Sequence, residues 1–242
     1  MITSTQSEVK ELKKIQSVLD KLMISNTVEL VLLYPALKRR NDSKNVTLCG
    51  GSYNPFHIGH EELLKKTLEF VDGSEAISYI TLNHSLGKVV SGASFAERLY
   101  MLRLEQQRLP FMSVGVINDG FYRNWFHKLK KFHPSEELNY FCVMGADLFP
   151  RVIEGNNESD YPKIFSIPWL VAKRGGKAYD DFLIPKSVNP YLNMISSVPL
   201  PENVKDVSSS GLKNILKDRD SKVLDYILKD VFKFISRRNL YQ

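Results

Sequence analysis

Short apolar runs separated by segments of helical spacing constrain this chain more than any total does. Residues 46–49, 76–82, 112–117, 138–144 and 169–173 read as strands. Between them lie 58–70, with Leu63, Leu64 and Leu68 on one side, and 94–109, which Ser94 and Glu97 open as a capping box. Residues 123–132 form a third expected helix, and 210–216 and 223–234 two more at the end. Strands alternating with such helices predict βαβ units on a parallel sheet covered on both faces. The predicted fold class is therefore α/β, a doubly wound parallel sheet of about five to six strands.

The first 45 residues do not follow this rhythm. Residues 7–24 place Val9, Leu12, Ile15, Leu19, Leu22 and Met23 at helical spacing, and 28–34 form a short strand-like run ended by Pro35. The polar stretch 38–45, KRRNDSKN, reads as a connector. Two parts are expected: residues 1–45, a helix and short strand packed on or beside the core, and residues 46–242, the main domain. A chain of 242 residues is long enough to bury a large core without staples. Its two cysteines, Cys49 and Cys142, sit in apolar runs and read as buried thiols of a reducing compartment. No run reaches the ~18 apolar residues of a membrane span. Glu8, Lys10, Glu11, Lys13 and Lys14 break any signal-peptide pattern. A net charge of +6 suits anionic partners, nucleotides as well as nucleic acid. The basic clusters Lys38-Arg39-Arg40, 128–131 and Arg237-Arg238 are short enough to be solvated faces.

In a doubly wound sheet, ligands bind beyond the carboxyl ends of the strands, at a switch point. The loops to inspect are 50–57, 83–92, 118–122, 145–151 and 174–177. The first holds GGSYNPFHIGH, residues 50–60. Gly50 and Gly51 let the backbone turn and approach a ligand. Pro55 keeps Asn54 extended. A helix starting near His57 or Ile58 would offer its free N–H groups to an anion. His57 and His60 share a face of the first turn and suit a phosphate chain. A zinc pair and two unrelated histidines are the alternatives. Far along the chain, Ser208, Ser209 and Ser210 precede a helix that carries Lys213. They serve as caps, as hydroxyls for an anion, or both. Gly145 follows a buried strand and lets the backbone approach a base or ribose. Asp147 binds a hydroxyl or caps the next helix.

GGSYNPFHIGH resembles the G-G-x-F-N-P-x-H-x-G-H signature of the nicotinate/nicotinamide mononucleotide adenylyltransferases, within the H-x-G-H nucleotidyltransferase superfamily. Tyr53 stands where that family has Phe. The resemblance extends over about residues 46–241 and implies a Rossmann-like core. It implies ATP contacts at Gly50, Gly51, Ser52, Tyr53, Asn54 and Gly59. VSSSGLKN is similar to the family's I-S-S-T-x-I-R, with Lys213 in place of Arg, which loses the bidentate fork. VMGADL resembles M-G-x-D-x-L, carrying Gly145 and Asp147. VAKRGG resembles V-V-x-R-P-G, carrying Arg174. Lys88 lies where the family often has P-H-K. Arg98 matches the arginine of R-L-x-M-L, either as a structural salt bridge or as an acceptor contact. The tryptophan that the family places after M-G-x-D-x-L is absent. Trp125 is its candidate replacement for acceptor stacking, or else a core residue.

The resemblance implies transfer of AMP from ATP to nicotinamide or nicotinate mononucleotide, with release of pyrophosphate. The acceptor phosphate attacks the α-phosphorus in line, so positioning and charge stabilisation carry the catalysis. His57, His60 and Lys213 are the expected catalytic residues. Ser208, Ser209, Ser210 and Lys88 share the β- and γ-phosphates with Lys213. Mg2+ accompanies ATP through water-bridged phosphate oxygens, with no dedicated protein metal site. The partners expected are ATP and a phosphate-bearing mononucleotide, not nucleic acid or membrane, in a cytoplasmic protein (or a nuclear one in a eukaryote). A homo-oligomer is compatible with the sequence. The rival readings are another nucleotidyltransferase with the same core, such as a cytidylyltransferase, and an ATP-binding or ATPase-like protein without an acceptor site. A third is a nucleic-acid-binding module, for which the chain carries no motif.

Overall fold

A computed structural model of the chain describes residues 5–83, 91–131, 137–172, 185–204, 207–218 and 220–242. Lys88 and Arg174 lie outside these residues. Seven strands form one sheet: β1 (Leu30–Tyr34), β2 (Asn45–Gly50), β3 (Glu75–Thr81), β4 (Met112–Ile117), β5 (Asn139–Gly145), β6 (Trp169–Ala172) and β7 (Ile195–Val198). Their order is β1-β4-β3-β2-β5-β6-β7. Every pair is parallel except β1 with β4. This is a Rossmann-like α/β sheet with its switch point between β2 and β5.

The strand expected within the first 45 residues joins the sheet as β1, and β7 is the strand that the apolar runs did not mark. β1 comes from the first 45 residues and pairs antiparallel along the outer edge of β4, Leu30 opposite Ile117. β7 is only four residues long, with Ser196 and Ser197 at its centre, so it lacks an apolar run.

Alternation along the strands builds two apolar layers. Leu48, Cys142 and Trp169 face one way, into a cluster with Trp125, Phe126 and residues of α4 (Phe149–Glu154) and α5 (Tyr161–Ile164). Cys49, Val143 and Leu170 face the other way. They meet α1 (Gln6–Met23), α2 (Ile58–Phe70) and α3 (Phe95–Glu105) through Ile15, Leu19, Leu64, Leu68 and Leu99. Both cysteines are free and buried. Burial raises the Cys49 thiol to about 11, so it stays protonated at neutral pH.

A third cluster joins α6 (Ser209–Lys217) and α7 (Lys229–Arg237) to the outer side of α3, with Met101, Leu212, Val231, Phe234 and Tyr241 in it. Here the two terminal arginines are not a solvated patch. Arg237 Nη2 pairs with the buried carboxylate of Glu8 at 2.6 Å, and Arg238 Nε with Glu97 at 2.8 Å. The end of the chain is thus tied both to α1 and to the capping box of α3.

Two expected helices are broken. In place of the helix expected over 123–132, the described residues form two 3-10 segments, Tyr122–Asn124 and Phe126–Lys131, with Trp125 between them. Residues 223–234 split into the 3-10 segment Ser221–Asp225 and α7. The break spends its backbone groups elsewhere: Tyr226 O accepts from Ile58 N at 2.8 Å, and Leu228 N donates to Glu105. Among the described residues no helix is long and apolar enough to cross a membrane.

Candidate active site

The carboxyl ends of β2 and β5 lie side by side, Cys49 opposite Val143, so the loop after Gly50 and the turn after Gly145 share the switch point. The first loop is held from below. The Tyr53 phenol donates to Cys49 O at 2.6 Å, and its ring fills the space where a Cβ on Gly51 would stand, 2.8 Å from Cζ. The Tyr79 ring fills the same space at Gly50, 2.7 Å away. On their Cα side these glycines therefore make room for tyrosine rings of the protein itself. Tyr53, with φ at 42°, takes the left-handed conformation that its buried ring demands.

The histidines close this loop onto α2. His57 is the N-cap: its Nδ1 accepts from Gly59 N at 3.1 Å. In return His60 Nδ1 accepts from His57 N at 3.3 Å. An imidazole nitrogen that accepts cannot carry the proton, so both neutral rings hold theirs on Nε2. His57 Nε2 is buried, which leaves the partly exposed His60 as the ring nearer to solvent. The two ring centroids are 3.8 Å apart. Gly59 is required between them, since a Cβ there would meet His57 Cε1 at 3.0 Å.

The first amides of α2 do not form the open anion site expected of them. Ile58 N goes to Tyr226 O, Gly59 N to the imidazole, and both His60 N and Glu61 N to His57 O. At α6 the pattern differs. Ser208 caps the helix by accepting from Gly211 N at 3.1 Å, and Leu212 N bonds Ser208 O. The amides of Ser209 and Ser210 meet no acceptor among the described residues, and Ser210 is exposed. This start leaves two backbone donors open, a geometry that suits an anion. Ser209 Oγ donates to Pro55 O at 3.1 Å, binding the two remote segments together. Lys213 Nζ reaches Ser91 O at 3.0 Å, and the Asn54 amide donates to the same carbonyl at 2.7 Å.

The remaining candidates divide. Gly145 ends β5, and Asp147 is exposed beside it; α4 takes Leu148 as its N-cap with no side-chain bond, so Asp147 does not cap it. Ser52 presents its carbonyl to Arg98 Nη1 at 2.9 Å. Arg98 is 2 % exposed, lies 4.3 Å from the Phe95 ring, and pairs with no carboxylate among the described residues. Burial lowers it to about 10, so it remains charged at neutral pH. The salt bridge expected of Arg98 is thus replaced by a carbonyl contact beneath the histidine loop. Trp125 is 1 % exposed and packed edge-on against Tyr79 and Phe126 at 5.4 and 4.7 Å. An indole so enclosed has no face for a pyridine ring, which corrects its acceptor role. The sequence reading missed Tyr241, whose phenol donates to Asn54 Oδ1 at 2.8 Å; no local pattern signals a contact 187 residues away.

A family model described as cytidylyltransferase-like matches residues 48–215, which spans both halves of this cradle. The chain belongs to that family. Among curated relatives, it is 25 % identical over 202 residues to a "Probable nicotinate-nucleotide adenylyltransferase" of Borrelia hermsii, with 81 % of this chain and 97 % of that one covered. It is 28 % identical over 207 residues to a protein of the same description from Carboxydothermus hydrogenoformans, with 81 % and 98 % covered. Among solved structures, Plasmodium falciparum nicotinic acid mononucleotide adenylyltransferase complexed with NaAD superposes with a TM-score of 0.63 at 18 % identity. That match covers 82 % of this chain and 98 % of the other. The cytidylyltransferase-like core thus begins within β2 and ends within α6, leaving α1 and β1 before it and α7 and Tyr241 after it.

Proposed function

We propose that the chain transfers an adenylyl group from ATP to nicotinate or nicotinamide mononucleotide, releasing pyrophosphate. The contact that carries this reading is Ser209 Oγ to Pro55 O, which joins an imidazole pair and an open helix start into one phosphate cradle at the switch point. The curated relatives named above support a pyridine mononucleotide as acceptor, with nicotinate the first candidate.

In this reading the nucleophile is the acceptor's own phosphate, so no side chain is consumed. The His60 Nε2 proton binds an oxygen of the α- or β-phosphate and stabilises charge as the α-phosphorus is attacked in line, and the buried His57 reaches the phosphates only if the loop shifts on binding. The Ser209 and Ser210 amides, with Lys213, hold the departing pyrophosphate. Gly145 and Asp147, across the switch point, take the nucleoside side. Magnesium enters as part of the ATP substrate. The described residues include no group of three or more His, Cys, Asp or Glu placed to hold a metal ion, so no side chain is assigned to it.

The test is a pyrophosphate-release assay with magnesium, ATP or CTP, and each pyridine mononucleotide, with the product identified by mass. The expected product is a dinucleotide formed with ATP only. Turnover with CTP, or with a phospho-alcohol in place of the pyridine mononucleotide, would replace this reading by another transferase of the same family. Binding of ATP without any transfer would leave a nucleotide-binding protein.

A further inference from the structure

Beyond α7 the chain turns back through Asn239 and Tyr241, both at positive φ of 53° and 66°, and puts Tyr241 into the interior with 5 % of its surface exposed. Its phenol donates to Asn54 Oδ1 at 2.8 Å. The other end of the same carboxamide donates to Ser91 O at 2.7 Å. A carbonyl can only accept, so this pair of bonds fixes which way the Asn54 amide points. The Tyr241 ring lies over Gly92: φ there is +109°, and a Cβ would stand 2.6 Å from the ring. Lys213 Nζ lies 5.8 Å from the ring centroid, while bonded to Ser91 O.

Four segments therefore meet at one phenol: the histidine loop, the lead-in to α3, α6 and the end of the chain. We propose that Tyr241 is a positioning residue of the phosphate cradle, acting through Asn54 to hold the histidine loop and through its ring to seat Lys213. The inference rests on the adenylyl-transfer reading of the cradle and deepens it. Asn54 is 2 % exposed, so without the phenol its Oδ1 would be a buried acceptor with no donor. The amide would then be held only through Ser91 O, and the loop between Ser52 and His57 would lose one of its fixed points. Burial raises the phenol further above its ordinary range, so it remains a donor throughout the working pH.

The experiment compares the full chain with Tyr241→Phe, Asn54→Ala and the double variant. ATP affinity is measured by calorimetry, and kcat and KM with nicotinate mononucleotide. Tyr241→Phe keeps the ring over Gly92 and removes only the hydroxyl. Its expected effect is an ATP affinity about fivefold weaker and a kcat about tenfold lower, with a melting temperature lowered by only a few degrees. The double variant should be no worse than Asn54→Ala alone, because both changes break one link. Wild-type ATP affinity and kcat in Tyr241→Phe, or losses that multiply in the double variant, would overturn the proposal. If the wild-type chain binds ATP but uses no pyridine mononucleotide, the acceptor reading fails while the calorimetric arm still decides on Tyr241. Failure of the wild-type chain to bind ATP at all would overturn both.

Discussion

At the start of α2 the protein uses up its own backbone amides, whereas at the start of α6 two of them are left for something else. Both starts precede apolar helical spacing, and the contact from Ser209 to Pro55 brings them together. Yet α2 spends Gly59 N on the His57 imidazole and Ile58 N on Tyr226 O. Its N-terminus is a rigid mount that orients two side chains. α6 is joined to the histidine loop through one serine hydroxyl, and the amides of Ser209 and Ser210 meet no acceptor among the described residues. A phosphate chain would thus meet imidazole donors on one side and helix dipole plus lysine on the other. Losing an imidazole should therefore impair the chemical step, while losing the α6 groups should impair substrate grip.

The largest expected effect tests the α2 side. His60→Ala removes a fixed Nε2 donor and the acceptor of His57 N together. The expected loss is on the order of 100-fold in kcat, with KM for ATP changed far less. Near-normal turnover would show that the imidazoles are only a cap. On the α6 side, Lys213→Ala should lower kcat/KM for ATP by about 30-fold, the ~2 kcal/mol of a charge-assisted hydrogen bond, mostly through KM. Lys213→Arg should retain or improve the grip, because guanidinium adds a second donor. A Lys213→Ala loss confined to kcat would erase the proposed division between the two starts.

The mount of α2 extends to a buried charge cluster that can be tested by pH. Arg108 bridges Glu61 at 2.6 Å and Glu105 at 3.1 Å. Glu105 is fully buried, with one oxygen unpartnered among the described residues. Burial raises its carboxyl to about 7, against Arg108, which pulls it down. A carboxyl raised on folding favours the folded state below its unfolded value, and that advantage fades as pH rises through about 7. Between pH 5 and pH 8 this group should therefore cost the wild-type chain stability on the order of 1–2 kcal/mol. Glu105→Gln, a stand-in for the neutral acid, should match the wild type at pH 5 and exceed it at pH 8 in urea unfolding. Its ATP affinity should not move, since the cluster fixes α2 rather than binding phosphate. A variant less stable than wild type at pH 8 would mean that the Arg108 pair outweighs burial.

How much of this was legible beforehand depends on how local the cause is. β2, α2, β3 and the start of α3 follow from apolar period and a capping box within a few residues, and the structure has them at those places. The histidine pair and the serine run were visible for the same reason. A second reason for glycine at positions 50 and 51 has a distant cause. Their space is claimed by Tyr79 and Tyr53, and nothing in a glycine pair says whether a ring or a ligand will fill it. β7 was hidden because two of its four residues are serines. The single helix expected over 223–234 breaks where Tyr226 and Leu228 turn their backbone groups toward α2 and α3. Arg237 and Arg238 read as a solvated pair because their carboxylate partners, Glu8 and Glu97, lie far away in sequence.

The smallest effect separates fold from function at α6 itself. Ser208 caps the helix through Gly211 N, while Ser209 spans to Pro55 O. Ser208→Ala should cost about 1 kcal/mol of stability, the usual value of an N-cap. It should also weaken ATP binding only a fewfold, since the amides of Ser209 and Ser210 remain. Ser209→Ala breaks the link between the two segments but not the cap, so it should leave the melting temperature nearly unchanged. It should raise KM for ATP more than Ser208→Ala does, because the open amides are then no longer registered against the histidine loop. The two serines are adjacent and chemically identical, so opposite rankings in stability and in KM can only come from their partners. If both variants lost stability and affinity in the same ratio, α6 would be acting as a single docked helix, and the distinction between a spent and an open N-terminus would carry no functional weight.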